Sequence, residues 1–259
     1  MSDPTPQIWQ SLAHLSIAEL RYLPETGSTN ADALAWAAQG APDFSLVIAD
    51  KQTAGRGRLG RGWITFPGAA LAFSLILRDI PNLETIPYYS PWGALAVCEA
   101  LEALGLQPEI KWPNDVLLER RKVAGLLLES SWQREQIEAA VVGIGVNIAP
   151  SAVPPAAELR FPADSVEGIL GQPVDRWSLL GAILGSMAAW REKLAAPDFL
   201  AAWERRLAFR GEWVLVGDGL SPTRLGRVEG LAPGGQLRLT AEDGLPFSIS
   251  VGEISLRPA

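Results

Sequence analysis

The sequence has little of the chemistry on which most catalytic sites depend. Its 259 residues include one cysteine, Cys98, and one histidine, His14. A single cysteine excludes an internal disulfide, and the lack of a His/Cys cluster argues against a zinc site of the usual ligand type. A Ser-His-Asp triad would have to use His14, which lies outside every other motif, so we interpret His14 as a surface or packing residue. Cys98 lies in an apolar run, which predicts a buried, inert thiol.

The sequence also lacks an excess of positive charge and any long hydrophobic run. The formal net charge is −7, whereas a general nucleic-acid binder would need a basic surface, so no nucleic-acid partner is expected. Apolar runs such as 69–77 are too short to cross a bilayer, and the N terminus has neither part of a signal peptide. We therefore expect a cytoplasmic protein without a membrane partner.

What the sequence does have is enough apolar material for a full core. Hydrophobic residues make up 48% of the chain, and its length allows one large domain with a small one attached. We predict an N-terminal extension (1–20), a main domain (21–210) and a C-terminal β-barrel (211–259) made of short strands between Gly and Pro turns. Hydrophobic patterns and turn residues predict a helix of one or two turns around 8–20 in the extension. In the main domain they predict strands at 44–49, 63–66, 71–77 and as a meander over 109–148, and helices at 31–39, 90–104, 177–194 and 198–207.

The densest feature is the segment KQTAGRGRLGRGW at 51–63. Glycine lets the backbone adopt positive φ and approach a ligand, and arginine supplies planar donors that fit carboxylates and phosphates. This local positive charge is an exception on an acidic chain. By itself, however, the segment fits a solvated turn between two strands as well as it fits an anion-binding loop.

Three further motifs offer polar or open positions. Ser28 and Thr29 precede a predicted helix, where they can meet a polar ligand atom or simply cap the helix, with Asp32 completing a capping box. Lys111 in KWPND projects an ammonium beside a turn, although a lone lysine there is usually a solvated surface residue. The glycines of GIGVN at 143–147 predict either a bulge or the close approach of a ligand.

These motifs supply positive charge and backbone donors but no obvious base or nucleophile. Such a site suits a reaction whose substrates bring their own nucleophile and leaving group. The joining of a carboxylate to the α-phosphate of ATP is a reaction of this kind, since the protein must mainly bring two anions together and stabilise charge on phosphorus.

Taken in order, the motifs resemble those of the biotin protein ligases. The resemblance covers about residues 21–256 and depends on the combination of GRGRxGR at 55–61 with KWPND at 111–115, supported by Ser28-Thr29-Asn30, RKVAGLLLE at 121–129, GIGVN at 143–147 and GEISL at 252–256. With this resemblance, anion binding becomes the preferred interpretation of the Gly/Arg segment.

The resemblance implies an α+β fold in which helices flank a central mixed or antiparallel sheet, as in the class II synthetase-like catalytic domain of biotin and lipoate ligases, followed by a small SH3-like β-barrel. It also implies an enzyme that uses biotin and MgATP to make biotinyl-5′-AMP and then transfers the biotinyl group to a lysine of a biotin carboxyl carrier protein, such as that of acetyl-CoA carboxylase. The substrates would be biotin and ATP, with Mg²⁺ bound through the ATP phosphates and no protein ligands assigned. A homodimer is left open.

The residue roles that the resemblance implies fall into three groups. The catalytic residues would be Lys111 and Arg58. The biotin-binding residues would be Ser28, Thr29, Asn30, Gln52, Arg56, Gly57, Arg58 and Lys111. The residues at ATP and the adenylate would be Arg56, Arg58, Arg61, Trp63, Lys111, Asn114, Gly125 and Asn147.

The sequence departs from the family pattern at two points. Leu59 stands where many bacterial members have another arginine, and the N-terminal DNA-binding domain of some members has no counterpart here, so a ligase-only type without repressor function is expected. Two alternatives stay open: a ligase of the same fold that uses lipoate or another acid, and a non-catalytic module that binds biotin or a nucleotide. Pyrophosphate release with ATP and several acids would separate them.

Overall fold

A mixed seven-stranded sheet forms the centre of the main domain. The computed structural model describes residues 3–78, 80, 83–217, 223–250 and 255–258. The strands of this sheet are β1 (Leu20–Thr26), β2 (Leu46–Gln52), β3 (Ala70–Leu77), β4 (Pro108–Lys111), β5 (Asp115–Leu118), β6 (Arg121–Gln133) and β7 (Gln136–Asn147). They lie in the order β1-β2-β3-β7-β6-β5-β4, with β1 and β2 parallel and every other neighbouring pair antiparallel. The predicted mixed sheet and the meander within it are both confirmed.

Helices cover both faces of this sheet. They are α1 (Thr5–Leu12), α2 (Thr29–Ala38), α3 (Tyr89–Glu102), α4 (Val166–Leu170), α5 (Arg176–Trp190) and α6 (Pro197–Arg205). Alternate residues of a strand point to opposite faces, and accordingly Val47 packs with α2 whereas Ile48 joins the larger core that contains α3 and α5. Cys98 on α3 is fully buried and burial raises the pKa of its thiol, so the predicted burial of this cysteine is confirmed.

A second, smaller sheet follows α6. Its strands are β8 (Trp213–Gly217), β9 (Arg224–Leu231), β10 (Leu237–Thr240), β11 (Pro246–Ile249) and β12 (Ser255–Pro258), in the antiparallel order β11-β10-β9-β8-β12. This separate sheet confirms the predicted small β unit at the C terminus. Residues 252–254 of the GEISL motif lie outside the described residues.

The small sheet is joined to the main domain by packing and by hydrogen bonds that include two from aromatic side chains. Val214, Val228 and Leu239 belong to the same buried cluster as the main core. Trp112 Nε1 donates to the carbonyl of Gly235 at 2.9 Å, and Tyr88 Oη donates to the carbonyl of Pro233 at 2.7 Å. Trp112 directly follows Lys111, so the small sheet supports the end of β4.

Across the described part of the chain, no helix combines the length and apolarity needed to cross a bilayer.

Two local predictions are wrong. The segment 63–66 is not a strand, because Trp63 N–H bonds to the carbonyl of Gly55 within the loop and the Thr65 hydroxyl, rather than a ladder, meets the backbone of Gln52. The predicted helix around 8–20 instead spans Thr5–Leu12, since Pro4 stands at its N-cap and the chain must be extended again when β1 begins.

Candidate active site

A cleft brings together the motifs that the sequence singled out. Its lining residues are Ser28, Thr29, Asn30, Gln52, Arg56, Gly57, Arg58, Arg61, Gly62, Trp63, Lys111, Trp112, Asn114, Asp115, Lys122, Gly125, Leu126, Leu127, Gly143, Ile144 and Gly145. They come from the start of α2, the end of β2 and the loop after it, the turn between β4 and β5 with its flanking residues, and the neighbouring strands β6 and β7. Apart from Asn147, every predicted site residue lies at this cleft.

A polar cluster lies at one end of the cleft, where α2 begins. The backbone N–H of Thr29 donates to Gln52 Oε1 at 2.9 Å, and the Thr29 hydroxyl lies 3.1 Å from the same oxygen. Ser74, from the middle of β3, places its hydroxyl 2.6 Å from Asn30 Oδ1 and 2.8 Å from Thr29 Oγ1. Because Thr29, Asn30 and Ser74 are buried and these groups hold one another, their donors and acceptors are oriented before any ligand arrives.

This geometry corrects the predicted capping box. Ser28 occupies the N-cap position of α2 without a side-chain hydrogen bond to the helix. Asp32 accepts a hydrogen bond from the Thr26 hydroxyl, and Thr29 turns toward Gln52. The side chains at the start of α2 therefore face the cleft and its neighbours, and capping does not explain them.

Asn30 connects this polar cluster to the sheet and to the loop. Its amide nitrogen donates to Glu129 Oε2 at 2.8 Å and to the carbonyl of Leu127 at 3.2 Å. Arg56 Nη2 pairs with the same Glu129 oxygen at 3.1 Å. A Cβ at Gly143 would overlap Asn30 Oδ1, so glycine is required there for Asn30 to approach the strand.

The Gly/Arg loop folds back on itself and touches the sheet at a few points. Gly57 N–H donates to the carbonyl of Arg61 at 2.7 Å, and Arg58 Nη1 donates to Asn114 Oδ1 at 3.2 Å. Gly60 has a φ of +68°, which glycine adopts without strain. At the base of the loop, the buried Thr65 hydroxyl accepts the Gln52 N–H at 2.5 Å. The Leu59 side chain lies outside the described part of the structure.

Trp63 lies against strand positions where only glycine fits. A Cβ at Gly145 would overlap the indole ring, and one at Gly125 would crowd both the ring and the Lys122 side chain. The indole Nε1 of Trp63 is buried without a hydrogen-bond partner. The glycines of β6 and β7 therefore mark a close approach of side chains to the sheet, whereas the sequence predicted either a bulge or the approach of a ligand. The pairing of β6 with β7 is regular at these glycines, so the bulge is wrong, and the approach of a ligand stays a prediction.

Lys111 and Lys122 are held by one carboxylate. Lys111 Nζ lies 3.1 Å from Asp115 Oδ2, and Lys122 Nζ lies 2.5 Å from Asp115 Oδ1. Burial would raise the pKa of Asp115, but the two lysines outweigh burial and lower that pKa to about 2. Burial lowers the pKa of Lys111, and Asp115 opposes this by favouring its charged form. Lys111 is 9% exposed, so it is not the solvated surface lysine that the sequence left open.

Asn147 is placed differently from the other predicted site residues. It is buried at the end of β7 and its Nδ2 donates to the carbonyl of Asp164 at 3.0 Å. It does not line the cleft. Its role near the nucleotide or the metal stays a prediction.

Several cleft or supporting residues were not among those predicted, namely Thr65, Ser74, Asp115, Lys122 and Glu129. Ser74 is the single polar residue of the apolar strand ALAFSLIL, and Glu129 ends the apolar run of RKVAGLLLE. A polar residue isolated in a buried strand was therefore an available signal. Thr65 had no such signal, because its role depends on how the loop returns to β2.

No group of three or more His, Cys, Asp or Glu side chains that could hold a metal ion occurs within the described ranges. Asp115, the carboxylate that lines the cleft, already binds two ammonium groups. These residues fit an Mg²⁺ ion that is bound mainly through phosphates, since Mg²⁺ commonly keeps waters and uses few protein ligands.

Comparison with known proteins identifies the family. The family model described as "Biotin/lipoate A/B protein ligase family" matches residues 23–147. The biotin–[acetyl-CoA-carboxylase] ligase of Paracoccus denitrificans is 39% identical over 233 residues, which cover 86% of this chain and 94% of that protein. The chain belongs to the biotin protein ligase family. Biotin protein ligase from Aquifex aeolicus, solved in complex with biotin and ATP, superposes with a TM-score of 0.80 at 30% identity, covering 93% of this chain and all of that one.

The family likeness reaches beyond the matched family model. Because the Aquifex biotin protein ligase superposes over nearly the whole chain, the likeness includes the small C-terminal sheet. By contrast, the bifunctional ligase/repressor of Bacillus subtilis is 39% identical over 169 residues, and this match spans about half of its length (51%) and 64% of this chain.

Proposed function

We propose that this chain is an ATP-dependent ligase that activates biotin as biotinyl-5′-AMP and transfers the biotinyl group to a lysine of a biotin carboxyl carrier protein. The observation that carries the proposal is the sharing of one cleft by a preformed polar cluster and a set of cations, namely Arg56, Arg58, Arg61, Lys111 and Lys122. A ligand with a polar head and an acidic tail fits such a cleft. One acidic tail would not balance all of these cations, so a second, anionic ligand fits beside it.

The polar cluster suits the ureido ring of biotin. That ring offers one acceptor and two donors, which the side chains of Ser28, Thr29, Asn30 and Gln52 can match. Leu127 and the side-chain-free position at Gly143 line the adjoining part of the cleft and suit the apolar ring and chain of biotin. The biotin carboxylate then points away from the polar cluster, along the strands.

In the first step, a biotin carboxylate oxygen attacks the α-phosphorus of ATP. The new O–P bond forms as the bond from the α-phosphorus to the bridging oxygen breaks, and pyrophosphate leaves. Lys111 supplies a compact positive charge between the two anions, which offsets their repulsion and stabilises charge that develops on the phosphoryl oxygens. Arg56, Gly57 and Arg58 belong to the loop that covers biotin and the adenylate, while Arg61, Trp63, Asn114 and Gly125 serve the nucleotide side.

Mg²⁺ would enter with the ATP phosphates and would neutralise part of their charge. The protein's own contribution is to bind, to orient and to exclude water. The loop matters for the last of these because the product is a reactive mixed anhydride that water would destroy.

In the second step, a deprotonated lysine amine of the carrier attacks the acyl carbon. An amide bond forms, AMP leaves with the electrons of the broken C–O bond, and the amine's extra proton passes to solvent. The carrier, and with it acetyl-CoA carboxylase as the destination of biotin, belongs to this proposal. The absence of a nucleic-acid partner is also part of it. The resemblance leaves a homodimer open, and sedimentation with and without biotin and ATP would measure the oligomeric state directly.

ATP–pyrophosphate exchange, run separately with biotin, lipoate and octanoate, tests the first step. We expect exchange with biotin alone. Exchange with lipoate or octanoate but not biotin would reassign the substrate, and no exchange with any acid would overturn the assignment as a ligase. For the second step, a purified carrier domain should gain the mass of one biotinyl group, and a carrier with arginine in place of its acceptor lysine should gain none.

A further inference from the structure

A second lysine stands beside Lys111 on an independent and rigid support. The backbone of Lys122 donates to the carbonyl of Pro162 at 2.8 Å and accepts from the N–H of Asp164 at 3.0 Å. The start of β6 is therefore fixed on the side away from β5. From there the Lys122 side chain reaches into the cleft, where its ammonium lies 5.5 Å from the centre of the Trp63 ring.

The register of the sheet places this ammonium beyond the polar cluster. Asn30 contacts β6 at Leu127, which pairs with Gly143 of β7. Lys122 Nζ lies next to Gly125, which pairs with Gly145. The two positions on β6 are two residues apart, or about 6.8 Å along a strand. A ligand whose head occupies the polar cluster would therefore bring its tail, and the group that reacts with it, to the position of Lys122.

The charges around Asp115 also favour an anion beside Lys122. One carboxylate needs only one cation for neutrality, yet Asp115 binds two ammonium groups, one on each oxygen, and Arg61 acts on Lys111 from the loop. The cluster therefore has more positive than negative charge at the reactive end of a partly enclosed cleft. Such an excess favours the arrival of an anion.

We propose that Lys122 is a second catalytic cation, which contacts an oxyanion of the reacting pair, and that Asp115 is a positioning residue that holds the ammonium groups of Lys111 and Lys122 at the reaction centre. This inference rests on the proposed function, since the oxyanions are the biotin carboxylate and the α-phosphate of ATP. Lys122 contributes a charged donor from β6 while Lys111 contributes one from β4, so the two anions are held from both sides as the O–P bond forms.

Lys122→Met tests the first half of the proposal, with Lys193→Met as the matched control because Lys193 is exposed and does not line the cleft. In ATP–pyrophosphate exchange with biotin, kcat/KM for Lys122→Met should fall about tenfold to hundredfold, and Lys122→Arg should recover part of the loss. Binding of biotin and of biotin methyl ester without ATP identifies the oxyanion. Loss of the preference for biotin indicates the carboxylate, whereas an unchanged preference with a raised KM for ATP indicates the phosphate.

The result with the wild type separates a failure of the proposed ligase function from a failure of the role of Lys122. If it shows no biotin-dependent exchange, the proposed function fails and Lys122 has no such role to fill. If it exchanges normally and Lys122→Met matches Lys193→Met in both exchange and ligand binding, the role of Lys122 alone is overturned. Circular dichroism melting of each variant, with Lys122→Gln as a second substitution, keeps a folding defect from being read as a loss of charge.

Asp115→Asn tests the positioning role through pH. Around Lys111 the charged groups are Asp115 from β5, Lys122 from β6 and Arg61 from the loop, and the ring of Phe161 lies 4.5 Å from the ammonium. Without the carboxylate, burial and the two cations all lower the pKa of Lys111. The fall of the exchange rate on the alkaline side of its pH profile (the alkaline limb) should therefore move to lower pH in this variant.

The control is Asp43→Asn, because Asp43 also forms a salt bridge, with Arg191, but outside the cleft. Its alkaline limb should match the wild type. In a double-mutant cycle, Asp115→Asn and Lys122→Met should lose less together than the product of their separate effects, since they act through one cluster. An unmoved alkaline limb together with independent effects would overturn the positioning role of Asp115.

Discussion

The cations of the cleft stand on two supports that differ in rigidity. Lys111 ends a strand of the central sheet, is nearly buried and is followed by Trp112, whose indole is fixed to the small sheet. Arg56 and Arg58 stand on a glycine-rich loop and reach the sheet through Glu129 and Asn114. A charge on a strand can be positioned before the substrates bind, whereas a charge on a loop can move with them. The strand therefore suits the chemical step and the loop suits retention of its product.

The strongest test of this difference is removal of the strand-borne charge. Lys111→Ala should slow adenylate formation by about 10²–10³-fold, as expected for the loss of one charge partner of a transition state. Single-turnover formation of biotinyl-5′-AMP measures the step directly. Adenylate formation at a near-normal rate in this variant would remove Lys111 from its role.

The next largest effect is expected at the polar cluster. Gly143→Ala should weaken biotin binding by about tenfold or more, because the new methyl group would displace Asn30 from β7. Isothermal titration with biotin measures the change. Gly27→Ala is the matched control, since a Cβ there would meet no atom within 4 Å. Equal affinities for the two variants would mean that the position of Asn30 does not matter for biotin.

On the loop, Arg58→Ala should act on the product more than on the chemistry. The variant loses the contact to Asn114, so we expect biotinyl-5′-AMP to dissociate about tenfold faster while its rate of formation changes less. Release of labelled adenylate into excess unlabelled ligand gives the rate. Arg134→Ala, at the exposed tip of the β6–β7 hairpin, should release adenylate as the wild type does. If formation slowed as much as in Lys111→Ala, the two supports would not differ in function.

The smallest effect is expected at the base of the loop. Thr65→Val removes the hydroxyl that binds the backbone of Gln52 but keeps the shape of the side chain, so KM for biotin should rise a few-fold. Thr65→Ser should restore the wild-type value because it restores the hydroxyl. A serine variant that behaves like the valine variant would show that packing, and not the hydrogen bond, positions Gln52.

Much of the site was predictable because its chemistry lies in short motifs. The Gly/Arg segment, KWPND and the residues at the start of α2 each carry their own donors, and members of each line the cleft. Contacts between distant segments were harder to predict. The capping box at Thr29 was wrong because Gln52, 23 residues later, binds Thr29 instead. Nothing local to residue 63 could show that Trp63 would lie on glycines of two other strands.

The sequence by itself determined which groups are present: arginines on a flexible glycine-rich segment, a lysine beside a turn, and no histidine or cysteine cluster for other chemistry. It also determined most of the strands and helices, because hydrophobic periodicity is a local property, although the strand predicted at 63–66 is absent and the short helix α4 was not predicted. Only the tertiary structure decided that Lys111 and Lys122 share Asp115 and that Asn30 lies on Gly143. The physical reason is that the pairing of neighbouring strands sets these distances, and that pairing depends on the burial of both faces of the sheet rather than on any one segment.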